Sequence, residues 1–230
     1  MLFRRMQNLS VLSKFFALAF SALLPVVNPL GSALVFLGVV GSAPPSVFRE
    51  LAQKIAVTMT LFMAVVELVG AGLLNFFGIS LPVVQIAGGL VLASMGWKLL
   101  NQQKAETKED PTKAVESGVR SLEEKVFYPL TFPITIGPGC IVIMLTLSAH
   151  ASVKTNLIAN VIAHLGIFLA VVVLSLTIFL CYRYAPLITQ RISPATADGI
   201  LRLTAFVLVC IGVQITSNGA EALLRKILNT

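Results

Sequence analysis

Six long apolar runs dominate this sequence and restrict the folds that it can adopt. Each run is long enough to reach the roughly 17–25 residues that a helix needs to cross the hydrocarbon layer of a membrane. Inside lipid the backbone must satisfy its own hydrogen bonds, so helices are the expected spanning structure. The runs are Phe15–Val40, Ile55–Phe77, Ile79–Trp97, Val126–His150, Leu157–Tyr182 and Gly199–Ser217.

The composition agrees with a membrane protein and argues against a soluble domain. Of the 230 residues 57% are hydrophobic and only 12% are charged, which is too little charge for a water-facing exterior. The net charge of +7 does not indicate nucleic acid, because the basic residues lie between the apolar runs, where they orient a membrane protein. The three Cys residues have neither pairing nor metal-binding spacing, so we expect no metal and no cofactor.

A single long hydrophilic stretch divides the chain into two halves. We predict a first three-helix unit over residues 1–97 with an interfacial N-terminal lead-in, a charged linker over 98–125, and a second three-helix unit over 126–230. Most Lys and Arg residues follow the first, third and fifth runs, and such loops favour the cytoplasmic side. This predicts a multi-pass protein of the bacterial inner membrane with a cytoplasmic linker and both termini in the periplasm, although Arg4 and Arg5 oppose that orientation.

The first runs of the two halves carry similar helix-breaking motifs. When "LPVVNPLGSALVF" (24–36) is aligned with "FPITIGPGCIVIM" (132–144), Pro25 falls on Pro133 and Gly31 on Gly139. An odd number of spans in each copy would give the copies opposite orientations in the membrane, as in many transporters. The sequence therefore predicts an all-α membrane protein of six transmembrane helices, built as two inverted three-helix repeats with interrupted first and fourth helices.

The two interruptions are the predicted substrate site. Pro29 suits the first position of a half-helix and Asn28 suits its N-cap, and Gly137 and Pro138 take the same part in the second half. Helix N-termini offer backbone N–H groups and a positive dipole end to an anion. The alternative is that both prolines merely kink packed helices, since kinks are common in membrane helices.

A small amino acid would fit such a site at both of its charged ends. Its carboxylate is expected near the amides of Gly31 and Gly139, and its ammonium near carbonyl groups around Val27 and Thr135. Thr131 and Thr135 flank the second interruption, where local hydrogen bonds to the helix backbone are an equally good explanation for them.

Three other polar residues of the runs are further candidates or have structural explanations. Glu67 is the only acid in the interior of a run and is a candidate for proton or ion coupling, although a neutral, backbone-bonded Glu would also fit. Gln85 shares a helix face with Gly89 and Gly96; this face favours close helix packing, and Gln85 is its candidate for substrate contact. His164 is interpreted as a packed or interfacial residue outside the site.

Three motifs resemble those of the MarC family of integral membrane proteins, which includes the small neutral amino acid transporter SnatA. They are "VNPLG" (27–31), "FFGISLPVVQIAGGLVL" (76–92) and "PLTFPITIGPGCI" (129–141). The resemblance implies a six-helix inner-membrane fold with broken first and fourth helices and transport of glycine, alanine or similar amino acids. "SALVF" follows "NPLG" where the family usually has a further proline, so we expect a slightly different half-helix. Positions that match the family's interrupted-helix motifs are Asn28, Pro29, Gly31, Gly137, Pro138 and Gly139.

The preferred functional hypothesis is a secondary transporter of small neutral amino acids that works by alternating access. Because no GxxxxGK[ST] loop is present, we expect coupling to protons or sodium ions rather than to a nucleotide. An enzyme is not expected, because HExxH and GxSxG motifs are absent from the sequence. The alternatives are an exporter of drugs or other small solutes and a membrane scaffold without a substrate.

Overall fold

The computed structural model describes residues 2–41, 43–101, 126–152, 157–187 and 194–228, most of which form helices. An irregular segment, Val126–Thr135, precedes the fifth helix. The predicted linker over 98–125 lies outside the described residues, apart from its first four residues, which end the fourth helix. The helices are α1 (Leu2–Val27), α2 (Pro29–Val40), α3 (Pro45–Phe76), α4 (Leu81–Asn101), α5 (Pro138–Ser152), α6 (Leu157–Arg183) and α7 (Pro194–Leu228).

Five helical stretches among the described residues are long and apolar enough to span a membrane. The irregular segment and α5 pass the same test as a pair, but they meet at a bend of 71°, as in a broken span or a re-entrant loop. The predicted all-helical membrane class is therefore confirmed for the described residues, whereas the count of six spans and the inverted repeat stay predictions. The five stretches are Met6–Val40, Pro45–Gly70, Leu81–Lys98, Leu157–Arg183 and Arg202–Leu228.

Glycines hold α4 and α7 in the most extensive helix contact of the described structure. A Cβ atom on Gly212 would lie 2.6 Å from the carbonyl oxygen of Gly89, and one on Gly96 would lie 2.8 Å from that of Ala205. Membrane helices use small residues in this way because lipid supplies no hydrophobic force between them. The predicted packing role of Gly89 and Gly96 is confirmed.

The buried core lies where α1, α3, α5 and α6 meet. Leu23, Met63, Met144 and Leu174 are all fully buried there. Large apolar residues on the outer faces, such as Leu68 of α3, are exposed, as expected for side chains that face lipid. Both interruptions predicted from the sequence border this core.

Candidate functional site

The first helix is interrupted at Asn28, as predicted. α1 ends at Val27 and α2 begins at Pro29, and Asn28 between them has φ 47° and ψ 66°, a left-handed conformation that Asn tolerates better than most residues. Its side chain caps α2, because Oδ1 accepts a hydrogen bond from the Gly31 amide at 3.1 Å. We call residues 27–29 the first break.

The cap changes which amides of α2 can meet a ligand. The Gly31 N–H, which is predicted from the sequence to bind the substrate carboxylate, already donates to Asn28 Oδ1. The Ser32 N–H donates to the Asn28 carbonyl at 2.9 Å, and Pro29 has no N–H. Of the first-turn amides, the Leu30 N–H is therefore the one that remains for an anion at this break.

The second interruption differs from the prediction of a helix that starts at Val126. The chain from Val126 to Thr135 is irregular, with extended backbone at Tyr128 (φ −125°, ψ 124°) and at Phe132 (φ −119°, ψ 124°). Both residues precede a proline, and the proline ring disfavours helical backbone at the residue before it. The sequence thus contained the signal for this irregular geometry.

Two threonine hydroxyl groups donate hydrogen bonds to backbone carbonyls of the irregular segment. Thr131 Oγ1 donates to the Val126 carbonyl and Thr135 Oγ1 to the Leu130 carbonyl, each at 2.7 Å. The local hydrogen bonding considered for these two threonines is therefore present. α5 then begins at Pro138, with no side-chain cap before it, and we call residues 136–138 the second break.

Tyr182 of α6 links the second break to α2, the helix that begins at the first break, and no sequence motif predicts this contact. Its hydroxyl group is 2.8 Å from Thr135 Oγ1, beside the second break. Its ring stacks on Phe36 of α2, with the centroids 4.3 Å apart. Tyrosine near the end of a span normally marks the lipid interface, so no local pattern indicated that this side chain is fully buried.

The glycines of the second break differ in the space around them. Gly139 lies against Leu92 of α4, and a Cβ atom there would overlap that side chain. A Cβ atom on Gly137 would have ordinary contacts only, with its nearest neighbour, Met95 Cε, at 3.6 Å. Gly137 is therefore the position at which a small group can be added to the break without disturbing the packing.

Gln85 is not adjacent to the breaks. It lies seven residues before Leu92, about two turns or 10 Å along α4. There it is buried and lines a cavity of about 370 Å³ between α4, α5 and α7, together with His150, Asn218 and Arg225. The structure thus separates Gln85 from the other predicted site residues.

Glu67 is buried, as predicted for an acid on the inner face of its helix. Its side chain is 3% exposed, and Oε1 is 3.1 Å from His164 Nδ1 of α6. The Glu67 carbonyl accepts a hydrogen bond from Ser148 Oγ of α5 at 2.8 Å. Ser148 lies eight residues after Cys140, so this site is about 12 Å along α5 from the second break. His164, which the sequence favours as a packed or interfacial residue outside the site, thus contacts the predicted coupling residue.

Comparisons with known proteins agree over nearly the whole chain. The profile of the "MarC family integral membrane protein" matches residues 13–224. The inner membrane protein MarC of Salmonella typhimurium is 32% identical over 219 residues, which cover 93% of this chain and 97% of that protein. The inner membrane protein MarC of Citrobacter koseri is 33% identical over 218 residues with the same coverage. No solved structure matches. The chain therefore belongs to the MarC family of integral membrane proteins.

Proposed function

We propose that this protein is a secondary transporter of small neutral amino acids that works by alternating access in the bacterial inner membrane. The observation that carries the proposal is the pair of helix breaks, held together by one buried tyrosine. Interrupted helices that meet near the middle of a membrane are the usual substrate sites of secondary transporters. Both breaks begin a new helix at a proline, so each directs a helix N-terminus toward the bound substrate.

The helix contacts support two halves related by a two-fold axis. α1 of the first half packs on α6 of the second, and the counterpart contact joins α5 and the irregular segment of the second half to α3 of the first. Two further contacts, α3 with α6 and α4 with α7, each pair an element with its own counterpart, and the contact of α4 with α5 has its counterpart in the smaller contact of α7 with α1. These pairings fit inverted repeats that rock about the breaks, with the termini on the periplasmic side.

The breaks offer complementary groups for both ends of an amino acid. The carboxylate would accept hydrogen bonds from the Leu30 and Gly139 amides, which follow the two prolines, and from the Asn28 side-chain NH₂ group. The ammonium group would donate to the last carbonyls before each break, around Val27 and Thr135. No buried Lys or Arg is required, because the two helix N-termini supply the positive potential.

The surroundings of the breaks favour a side chain no larger than that of alanine or serine. Pro29, Gly31 and Gly139 are buried against their neighbours, so a bulky ligand would have to displace packed residues. Coupling to a proton or a sodium ion is assigned to Glu67. No catalytic role is proposed, since the two breaks provide hydrogen-bond donors and acceptors and no activated nucleophile.

Counterflow in liposomes tests the proposal. Liposomes containing the purified protein and loaded with unlabelled alanine are placed in labelled glycine, alanine, serine, leucine or phenylalanine. We expect saturable uptake of the first three and little uptake of the last two, because a bulky side chain would have to displace the residues packed around the breaks. Empty liposomes are the control for leakage.

Each alternative function gives a different result in the same assay. A scaffold protein would give no uptake above that of empty liposomes for any amino acid, which would overturn the proposal. An exporter of drugs would exchange a labelled apolar cation but none of the amino acids. Preference for phenylalanine over glycine would contradict the proposed small substrate site but not the proposed transport function.

A further inference from the structure

Glu67 lies at a junction of three helices, away from the breaks. Its backbone carbonyl accepts a hydrogen bond from Ser148 of α5, and its carboxyl group contacts His164 of α6. α3 belongs to the first half of the chain, whereas α5 and α6 belong to the second. Any change in the charge of this carboxyl group therefore acts on the contact between the halves.

A hydrogen-bonded path leads outward from Glu67. His164 Nδ1 is 3.1 Å from Glu67 Oε1, and its Nε2 is 3.3 Å from Ser152 Oγ at the end of α5. The side chain of Glu67 is 3% exposed, while that of His164 is 25% exposed. A neutral imidazole that donates from Nδ1 to the carboxylate can accept a proton at Nε2, on its exposed side.

The chemistry of this pair selects the coupling ion. A carboxylate with a neutral imidazole carries one negative charge, and one added proton makes the pair neutral overall, either as imidazolium and carboxylate or as imidazole and carboxylic acid. A sodium ion, in contrast, is a hard cation that prefers several oxygen ligands. An imidazole N–H directed at the carboxylate supplies a donor where such a cation would need an acceptor.

We infer that Glu67 and His164 together form the binding site for one coupling proton, with Ser152 at its outer end. The inference rests on the proposed transport function and identifies the coupling ion, which the proposed function leaves open. Protonation at Nε2 removes the net charge of the pair and makes it an imidazolium–carboxylate ion pair, which strengthens the attachment of α3 to α6. The state of one proton thus sets how firmly the two halves are joined.

Other titratable groups on the helices and the segment around Glu67 do not share the site. Within the described residues, His164 is the charged or titratable side chain that contacts Glu67. His150, the other histidine, bonds to the Thr146 carbonyl of its own helix and is exposed. The titratable or charged side chains described on these elements are Arg49, Glu50 and Lys54 on α3, Tyr128 on the irregular segment, Cys140 and His150 on α5, and His164, Cys181, Tyr182 and Arg183 on α6.

The experiment compares two rates in the same liposomes: exchange of glycine without a gradient, and accumulation of glycine driven by a pH gradient. A gradient of one pH unit supports about tenfold accumulation of a substrate that is carried with one proton. We expect the wild type to accumulate glycine. In the variants Glu67→Gln and His164→Gln the ratio of accumulation to exchange should fall to about the value of a transporter that is not coupled to protons. His150→Gln and Glu221→Gln are the matched controls and should keep the wild-type ratio.

The outcomes separate this inference from the proposed function. If the wild type exchanges no amino acid, the proposed function fails. If it exchanges glycine and the ratio survives in Glu67→Gln and His164→Gln, the inference is overturned while the function stands. Accumulation that follows a sodium gradient in the wild type also overturns it.

A second measurement does not use Glu67→Gln or His164→Gln, so it does not depend on whether those variants fold. His150→Gln leaves His164 as the single histidine of the chain. Its imidazole is followed by ¹⁵N NMR and the Glu67 carboxyl group by infrared spectroscopy as the pH changes. Two groups that share a proton titrate together, so we expect one common midpoint in both signals. Two independent midpoints would contradict the shared site.

Discussion

Asn28 illustrates how one residue can set the geometry of a helix break. Its backbone is left-handed, a conformation that costs most residues about 1–2 kcal/mol. Its side chain at the same time caps the Gly31 amide. Few residue types meet both demands: glycine accepts the backbone but cannot cap, and serine caps but does not favour the backbone.

The stability of Asn28 variants should depend on the left-handed backbone and on the side-chain cap. We expect Asn28→Ala to lower the free energy of unfolding by about 1–2 kcal/mol for the lost cap and by a further 1–2 kcal/mol or so for the strained backbone. Asn28→Gly keeps the backbone and should be clearly more stable than Asn28→Ala. Thermal unfolding in detergent measures both, and equal melting temperatures for the two variants would contradict the left-handed conformation.

Tyr182 should matter through its hydroxyl group as well as its ring. Tyr182→Phe keeps the stack on Phe36 but removes the hydrogen bond to Thr135, so we expect a loss of about 0.5–1.5 kcal/mol in stability. Glycine exchange should fall several-fold because the two breaks are no longer linked. Tyr184→Phe, at an exposed position two residues on, is the control, and identical behaviour of the two variants would show that the link has no role.

At the scale of elements, proline decides which parts of the membrane segments are regular. Tyr128 and Phe132 are extended because each precedes a proline, whereas Leu24 remains helical before Pro25 in α1. The breaks themselves were predicted, because Asn–Pro and Gly–Pro are strong local signals. The irregular course of Val126–Thr135 differs from the prediction, because an apolar run of this length favours continuous helix.

The contact between α4 and α7 should be the element pair most sensitive to a single methyl group. A Cβ atom on Gly212 would meet the backbone of Gly89 and Ala93, which cannot move aside as a side chain can. We expect Gly212→Ala to destabilise the protein by about 1–3 kcal/mol. Gly199→Ala, in the same helix with no atom within 4 Å, should be neutral or stabilising by up to about 1 kcal/mol. The melting temperatures of the two variants test this prediction. Equal values would contradict the close approach of α4 and α7 at Gly212.

At the scale of the whole molecule, the sequence predicted the membrane class and the breaks but not the residues that connect the halves. Helix periodicity and proline act within a segment, so they are readable from one sequence. The contacts of Tyr182 with Thr135 and of His164 with Glu67 join residues 47 and 97 positions apart in the chain. Such pairings depend on how the helices assemble, and a single sequence carries no direct signal for them.

Orientation in the membrane is a further property of the whole chain that can be measured. The distribution of Lys and Arg predicts that both termini are periplasmic and the 98–125 linker cytoplasmic. Alkaline phosphatase fused to the C-terminus should therefore be active, because it folds only in the periplasm. A green fluorescent protein inserted in the linker should fluoresce. The reverse pattern would contradict the charge argument and favour the influence of Arg4 and Arg5.

Binding of glycine at the second break is the most direct test of the central claim that the two breaks form one amino acid site. Equilibrium binding of labelled glycine is measured on purified wild type, Gly137→Ala and Gly72→Ala. A methyl group at Gly137 meets ordinary contacts and one at Gly72 meets no atom within 4 Å, so neither variant should melt at a lower temperature than the wild type. We predict saturable binding to the wild type and to Gly72→Ala. Binding to Gly137→Ala should be at least about tenfold weaker, a loss of about 1.4 kcal/mol, because the methyl group is added to the break itself. Equal binding to all three proteins, or none to the wild type, would contradict the account.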